Sequence, residues 1–122
     1  MADITYSVSL RVSKDNLDNT VSVSGVTANM NLTGLRSETY TLSSTAVGLS
    51  TANLGAVGLA YMRNLSTHTA STCAIGIDAG GSFLSFATLR AGEAALLRLA
   101  SGTEYEAKGT TGARLRVDIT EG

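Results

Sequence analysis

Apolar residues fall at every second position near the start of this chain, and that spacing most limits what the chain can fold into. The apolar positions are Ile4, Tyr6, Val8, Leu10 and Val12. The residues between them, Thr5, Ser7, Ser9 and Arg11, are polar. A period of two places alternate side chains on opposite faces of an extended strand. Residues 4–12 are therefore predicted to form a strand with one apolar face.

Similar short segments recur along the 122 residues. Strands are predicted around residues 21–25, 26–32, 38–42, 57–65, 73–77, 83–89, 94–99, 105 and 115–119. Polar or glycine-bearing turns are predicted at residues 14–19, 78–82 and 90–93, with a turn or single helical turn at 50–55. For residues 94–99 a short helix is the alternative, although six residues are few for a stable helix.

About eight to ten short strands, at spacings of roughly 8 to 12 residues, are typical of a sandwich or barrel. The predicted fold is all-β, an antiparallel β-sandwich of the jelly-roll or Ig-like type. The length fits one hydrophobic core, so a single β-sandwich domain over residues 1–122 is expected.

Charge and cysteine content narrow the possible partners and compartment. Nine basic and ten acidic residues give a net charge of -1, which supplies no long-range attraction to nucleic acid or anionic lipid. We therefore expect neither nucleic acid nor a membrane as a partner. Cys73 is the only cysteine, so no internal disulfide can form. The N-terminus lacks a signal-peptide pattern, and synthesis in a host cytoplasm is expected.

Residues able to carry catalysis or bind metal are few. His68 is the only histidine and lies between threonines in a polar loop, where no carboxylate is placed to orient it. We expect His68 to be exposed and Cys73 to be a small buried residue. One Cys and one His are too few for a zinc site. No catalytic, cofactor-binding or metal-binding residue is predicted, no cofactor is expected, and the protein is predicted not to be an enzyme.

Calcium binding stays open as a lesser alternative at residues 14–19. Four side chains with oxygen atoms fall within this turn. They are Asp15, Asn16, Asp18 and Asn19. The regular calcium-loop spacing and its closing Glu are missing, and turn formation explains the same residues.

No charged residue occurs from Thr39 to Met62. As a membrane span this stretch is too short and too polar. Core strands would explain it, and so would a contact surface, because interfaces are depleted of charge at their centre.

The second half of the chain resembles small virion structural proteins of tailed bacteriophages. The resemblance is carried by the sequence Tyr-Met-Arg-Asn-Leu-Ser-Thr at residues 61–67, the segments 73–77 and 83–86, the segment 89–99 with its Leu-x-x-Gly-Glu turn, and the closing strand. It implies a β-sandwich with a structural role on a particle, such as capsid decoration, head fibre or tail component. It also implies trimeric or higher assembly, and a structural corner at Gly92 and Glu93.

The expected function is therefore a non-enzymatic structural protein located in a virion. We expect it to form a homo-oligomer, with a trimer favoured, and to bind other virion proteins such as the major capsid protein. Strand 4–12 is a candidate for pairing across a subunit edge, because an unpaired strand edge recruits partners. A carbohydrate- or ligand-binding module of the adhesion or lectin type is the alternative, although four Tyr, two Phe and no Trp supply few aromatic platforms.

Overall fold

A computed structural model describes residues 2–52 and 54–122, so Met1 and Asn53 lie outside the described residues. Within those two ranges the regular structure consists of antiparallel strands, and no helix is present. The strands are β1 (Ile4–Lys14), β2 (Leu17–Ala28), β3 (Leu35–Thr41), β4 (Val47–Gly48), β5 (Val57–Asn64), β6 (Thr72–Ala79), β7 (Ser82–Arg90), β8 (Ala94–Arg98), β9 (Tyr105–Gly109) and β10 (Arg114–Glu121). The all-β prediction is confirmed, and the helical alternative for residues 94–99 is wrong. The predicted turn at 50–55 contains Asn53, which is outside the described residues.

The chain forms two compact units, divided between Asn31 and Leu32. The first unit is a β1–β2 hairpin whose register runs from Lys14 opposite Leu17 to Ile4 opposite Ala28. Its length comes from the alternation described above, which continues on both strands.

The hairpin differs from the sequence prediction at two points. The connecting turn is only two residues long, Asp15 and Asn16, and the polar residues on either side belong to the strands. Asp15 has φ 52°, a left-handed conformation that Asp tolerates better than most residues. Gly25 (φ 66°) does not separate two strands but lies inside β2, near the register shift opposite residues 6–8. The predicted strand over residues 26–32 ends at Ala28.

The second unit contains two four-stranded sheets. One has the strand order β3-β10-β5-β8, and the other has the order β4-β9-β6-β7. Both sheets contribute to one buried core: Met62, Leu115 and Val117 come from the first sheet, and Cys73 and Ile75 from the second. On β10 the core residues alternate with exposed Arg114 and Arg116, as a period of two requires. This alternation places Arg114, Arg116 and Asp118 on the side of the sheet away from the core, whereas Glu121 at the end of β10 is buried.

Glycine makes the tightest hairpin of this unit. Strands β6 and β7 are joined by Gly80 and Gly81, which have φ 66° and 90°. Two-residue hairpin turns commonly require positive φ, which glycine adopts without strain. Strand β4 was not predicted, because two residues cannot show an alternation.

Candidate interaction surfaces

The β1–β2 hairpin has one apolar and one polar face. Residues directly opposite each other on an antiparallel pair share a face. Val8 faces Val23 and Leu10 faces Val21, while on the other side Ser9 faces Ser22 and Arg11 faces Thr20. We call the apolar side the hairpin face. Its apolar residues are Ile4, Tyr6, Val8, Leu10, Val12, Leu17, Val21, Val23, Val26 and Ala28, and the polar residues Asn19 and Lys14 lie on the same side, opposite Val12 and Leu17.

The middle of the hairpin face is open to solvent. Exposed fractions there are 46% for Val8, 56% for Leu10, 53% for Val21 and 49% for Val23. Near the turn, Leu17 is 59% exposed. Scattered exposed apolar residues are ordinary, but a contiguous patch on one sheet face marks an interaction site. An isolated two-stranded hairpin is also marginally stable in water. The hairpin face therefore has the properties of a surface that binds a partner.

The two residues considered for nucleophilic chemistry lie in different environments. His68 is exposed, and its Nδ1 accepts a hydrogen bond from the Ala70 amide at 3.1 Å. Cys73 is fully buried in the core. Both predicted positions are confirmed. Burial raises the pKa of the Cys73 thiol, which lowers the fraction of reactive thiolate.

We expect native Cys73 to be alkylated by iodoacetamide at least tenfold more slowly at about pH 8 than in denaturant, because its thiol is buried and protonated. Since the folded state holds this proton more tightly than the unfolded state does, the free energy of unfolding should fall as pH rises above the pKa of an unfolded thiol. Mass spectrometry of timed samples measures the alkylation. Equal rates in the native and unfolded protein would contradict the buried placement.

The polar turn residues considered for calcium do not gather around one point. Asp15 and Asn16 form the turn, whereas Asp18 and Asn19 are consecutive residues of β2 and so lie on opposite faces of that strand. All four are exposed. Among the described residues, no three His, Cys, Asp or Glu side chains are grouped so that they could hold a metal ion.

The uncharged stretch from Thr39 to Met62 supplies core residues. Leu42, Ala60 and Met62 are buried in the common core, which confirms the core interpretation for these side chains. Across residues 2–52 and 54–122, no helix has the length and apolar character needed to cross a membrane.

Two segments that carry the resemblance to virion proteins, the end of β5 at Asn64 and the turn between β7 and β8, are bonded to each other. The backbone amide of Asn64 donates to the Glu93 carbonyl at 3.0 Å, and the backbone amide of Gly92 donates to the backbone carbonyl of Asn64 at 2.9 Å. Gly92 has φ 82°. The Glu93 carboxylate accepts a hydrogen bond from the Arg90 amide at 2.7 Å. Glu93 thus closes a turn in the structure, as the corner interpretation predicts.

Asn64 itself was not singled out from the sequence. Its side chain is fully buried, and the side-chain nitrogen Nδ2 donates to the Leu89 carbonyl at 3.0 Å and to the Ser71 carbonyl at 3.2 Å. Its Oδ1 accepts from the Ser66 amide at 3.0 Å. One side chain therefore joins the ends of three segments. The available signal was a polar residue in the same alternation as the core residues Ala60 and Met62.

The fold also brings together arginines that are scattered in the sequence. Four exposed arginines lie on the side of one sheet away from the core, and we call this surface the arginine face. It consists of Arg63 of β5, Arg98 of β8, and Arg114 and Arg116 of β10. No single stretch of sequence reveals this cluster, because three separate strands supply it.

Neither a known protein family nor a curated protein matches this chain by sequence.

Proposed function

We propose that the protein is a non-enzymatic structural component of a virus particle, a bacteriophage capsid decoration protein or another virion component. In this proposal it assembles with copies of itself and binds a protein lattice such as that of the major capsid protein. The observation that carries the proposal is the hairpin face, a contiguous apolar surface that is about half exposed at its centre.

The strand order supports a jelly-roll form of the β-sandwich. From β3 to β10, each strand lies in the other sheet from the strand before it, except that β6 and β7 are neighbours in the same sheet. As a result, β3 lies beside β10 in one sheet and β4 lies beside β9 in the other. Jelly rolls are double-sheet folds of eight strands, found in viral capsid proteins and lectins. A fold does not decide between those functions. The exposed hairpin face favours assembly over sugar binding, because it offers aliphatic side chains and no aromatic platform at its centre.

Assembly through the hairpin face has a clear physical driving force. Fully burying a Val or Leu side chain stabilises by roughly 1.5–3 kcal/mol, so covering an exposed half contributes about 1 kcal/mol. An 11-residue strand such as β1 spans about 35 Å at roughly 3.3 Å per residue. Copies that turn this face toward a common axis would cover it, and we propose a trimer because the resemblance to virion proteins implies trimeric or higher assembly. The outer backbone edges of β1 and β2 carry no strand within this two-stranded sheet and supply a second means of pairing.

Replacing Leu10 and Val21 together with serine should dissociate the assembly. The two residues face each other and are exposed, so the substitution removes apolar contact with little effect on the remaining fold. A loss of about 2 kcal/mol per copy weakens each contact by roughly 30-fold. Size-exclusion chromatography with light scattering in about 0.5 M salt, which screens contacts between exposed charges, measures the change in mass.

The matched control is Ser9→Thr with Ser22→Thr, an opposed pair on the polar face of the same hairpin. This control should retain the mass of the unmodified protein. Copurification with particles of the encoding virus tests the virion half of the proposal. An unmodified protein that is strictly monomeric and absent from those particles would overturn it.

A further inference from the structure

The arginine face places like charges opposite each other. Arg116 of β10 lies directly opposite Arg63 of β5, and Arg114 is two positions before Arg116 on the same side of β10. Opposed residues on one face have Cβ atoms about 5 Å apart, and like charges at this position destabilise a sheet. Asp118 is the acidic residue of this cluster, and its carboxylate accepts from Arg116 Nε at 3.0 Å. One carboxylate does not offset four guanidinium groups.

The neighbours of these arginines suit a protein partner. Tyr61 lies opposite Asp118 on one side and Leu96 on the other, so both Tyr61 and Leu96 are on the arginine face. Both are partly exposed. Arginine and tyrosine are the residues that most often dominate binding energy in protein interfaces. The net charge of -1 gives no long-range attraction to a nucleic acid.

The opposite charge is present on the other sheet of the same unit. Asp78 of β6 and Glu106 of β9 alternate with the core-packed residues Ile77, Tyr105 and Ala107. Glu104 lies two positions before Glu106, and its carbonyl accepts from the Asp78 amide at 3.0 Å.

We call Asp78, Glu104 and Glu106 the carboxylate face. Lys108 is the basic group within this surface. It lies two positions from Glu106 on β9, and its ammonium is over the ring of Phe83, 5.0 Å from the centroid, with Phe83 directly opposite Asp78. One ammonium does not offset three carboxylates, and Arg90 is opposite Thr72 near the other end of β6.

We propose that the arginine face of one copy docks on the carboxylate face of a second copy. The contact joins two different surfaces, so it is heterologous and leads to a ring or an open chain of subunits. Docking places carboxylates beside Arg63 and Arg116 and relieves their mutual repulsion. The contact does not use the hairpin face and goes beyond the self-assembly argued above, because it names a second interface with its own residues and charge chemistry.

The test uses full-length protein carrying Leu10→Ser and Val21→Ser, so that the hairpin contact is weakened and does not mask the result. In this background, one variant adds Arg63→Glu with Arg116→Glu, and another adds Glu104→Lys with Glu106→Lys. Asp78 is left unchanged because its carboxylate accepts a hydrogen bond from the Gly81 amide in the β6–β7 turn. Circular dichroism verifies that each variant is folded.

Light scattering should show that the parent self-associates at about 0.02 M salt and dissociates at about 0.5 M, since salt screens exposed charges. Each charge variant alone should associate at least tenfold more weakly. An equimolar mixture of the two should associate again, because the arginine face kept by one variant can dock on the carboxylate face kept by the other. Arg11→Glu with Lys14→Glu makes the same charge change on the hairpin and should associate like the parent.

Three results would overturn the proposal. The first is a mixture that stays monomeric, and the second is a charge variant that associates as strongly as the parent. The third is a parent that remains monomeric at low salt but binds a double-stranded DNA oligonucleotide through the arginine face, which would make nucleic acid the partner. Because the hairpin contact is tested with the charges intact, failure of one proposal is distinguishable from failure of the other.

Discussion

Replacing Asn64 with alanine should lower the free energy of unfolding by about 3–5 kcal/mol, because each buried polar group left without a partner costs roughly 1–3 kcal/mol. The substitution removes the hydrogen bonds that the Asn64 side chain makes with the Leu89 carbonyl, the Ser71 carbonyl and the Ser66 backbone amide. It also leaves a cavity at a fully buried position. Denaturant unfolding followed by far-ultraviolet circular dichroism measures the effect.

A second substitution separates the lost hydrogen-bond donors from the lost volume. Asn64→Asp keeps the shape and Oδ1 but removes both amide donors and adds a charge at a buried site. Burial raises the pKa of such a carboxyl, so the folded state holds more protons than the unfolded state near neutral pH. Stability relative to the unmodified protein should therefore be greater at about pH 4 than at about pH 7, following the linkage relation.

The control for both variants is Asn29→Ala, at an exposed position of the chain. Surface substitutions of this kind usually change stability by less than about 0.5 kcal/mol. If Asn64→Ala were no more harmful than Asn29→Ala, the bonding role of Asn64 would be wrong.

The alternation of apolar residues was enough to locate the strands that carry a clear core-facing pattern. Strands β1 and β10 show it over most of their length, and the glycine pair at 80–81 identified the β6–β7 turn. Prediction from the alternation failed where an element has too few residues to show a repeating pattern. Strand β4 has two residues, and the hairpin turn at Asp15 and Asn16 could not be separated from the polar strand ends around it.

The interaction surfaces depended on information that the linear sequence does not contain. Alternation along β10 predicts that Arg114 and Arg116 share a face, but not that Arg63 lies opposite Arg116. That pairing is set by the register of two strands distant in the chain. In the same way, the alternation in β1 predicts an apolar face without stating whether a core covers it. Exposure of Leu10 and Val21 is a property of the tertiary structure.

Gly76 illustrates how a residue without a side chain fixes the position of a neighbouring strand. The register between β6 and β7 shifts between Ile75 and Gly76, and the backbone of β7 approaches closely there. A Cβ at position 76 would collide with the Leu84 carbonyl oxygen and would lie 2.8 Å from the Ser85 Cα. Both obstacles are backbone atoms, so no side-chain rotation relieves them. Glycine in a strand often marks such a close approach.

Replacing Gly76 with alanine should therefore lower the free energy of unfolding by about 2–3 kcal/mol, the usual cost of forcing extra atoms into a packed site. The matched control is Gly48→Ala in β4, where an added Cβ meets nothing within 4 Å. There alanine should be neutral or stabilise by about 0.5 kcal/mol, since it restricts the unfolded chain. Both are best measured in the Leu10→Ser and Val21→Ser background, because subunit association raises apparent stability. Hydrogen exchange should be faster in β7 of the Gly76 variant, and equal stability of the two glycine variants would show that β7 does not need the close approach.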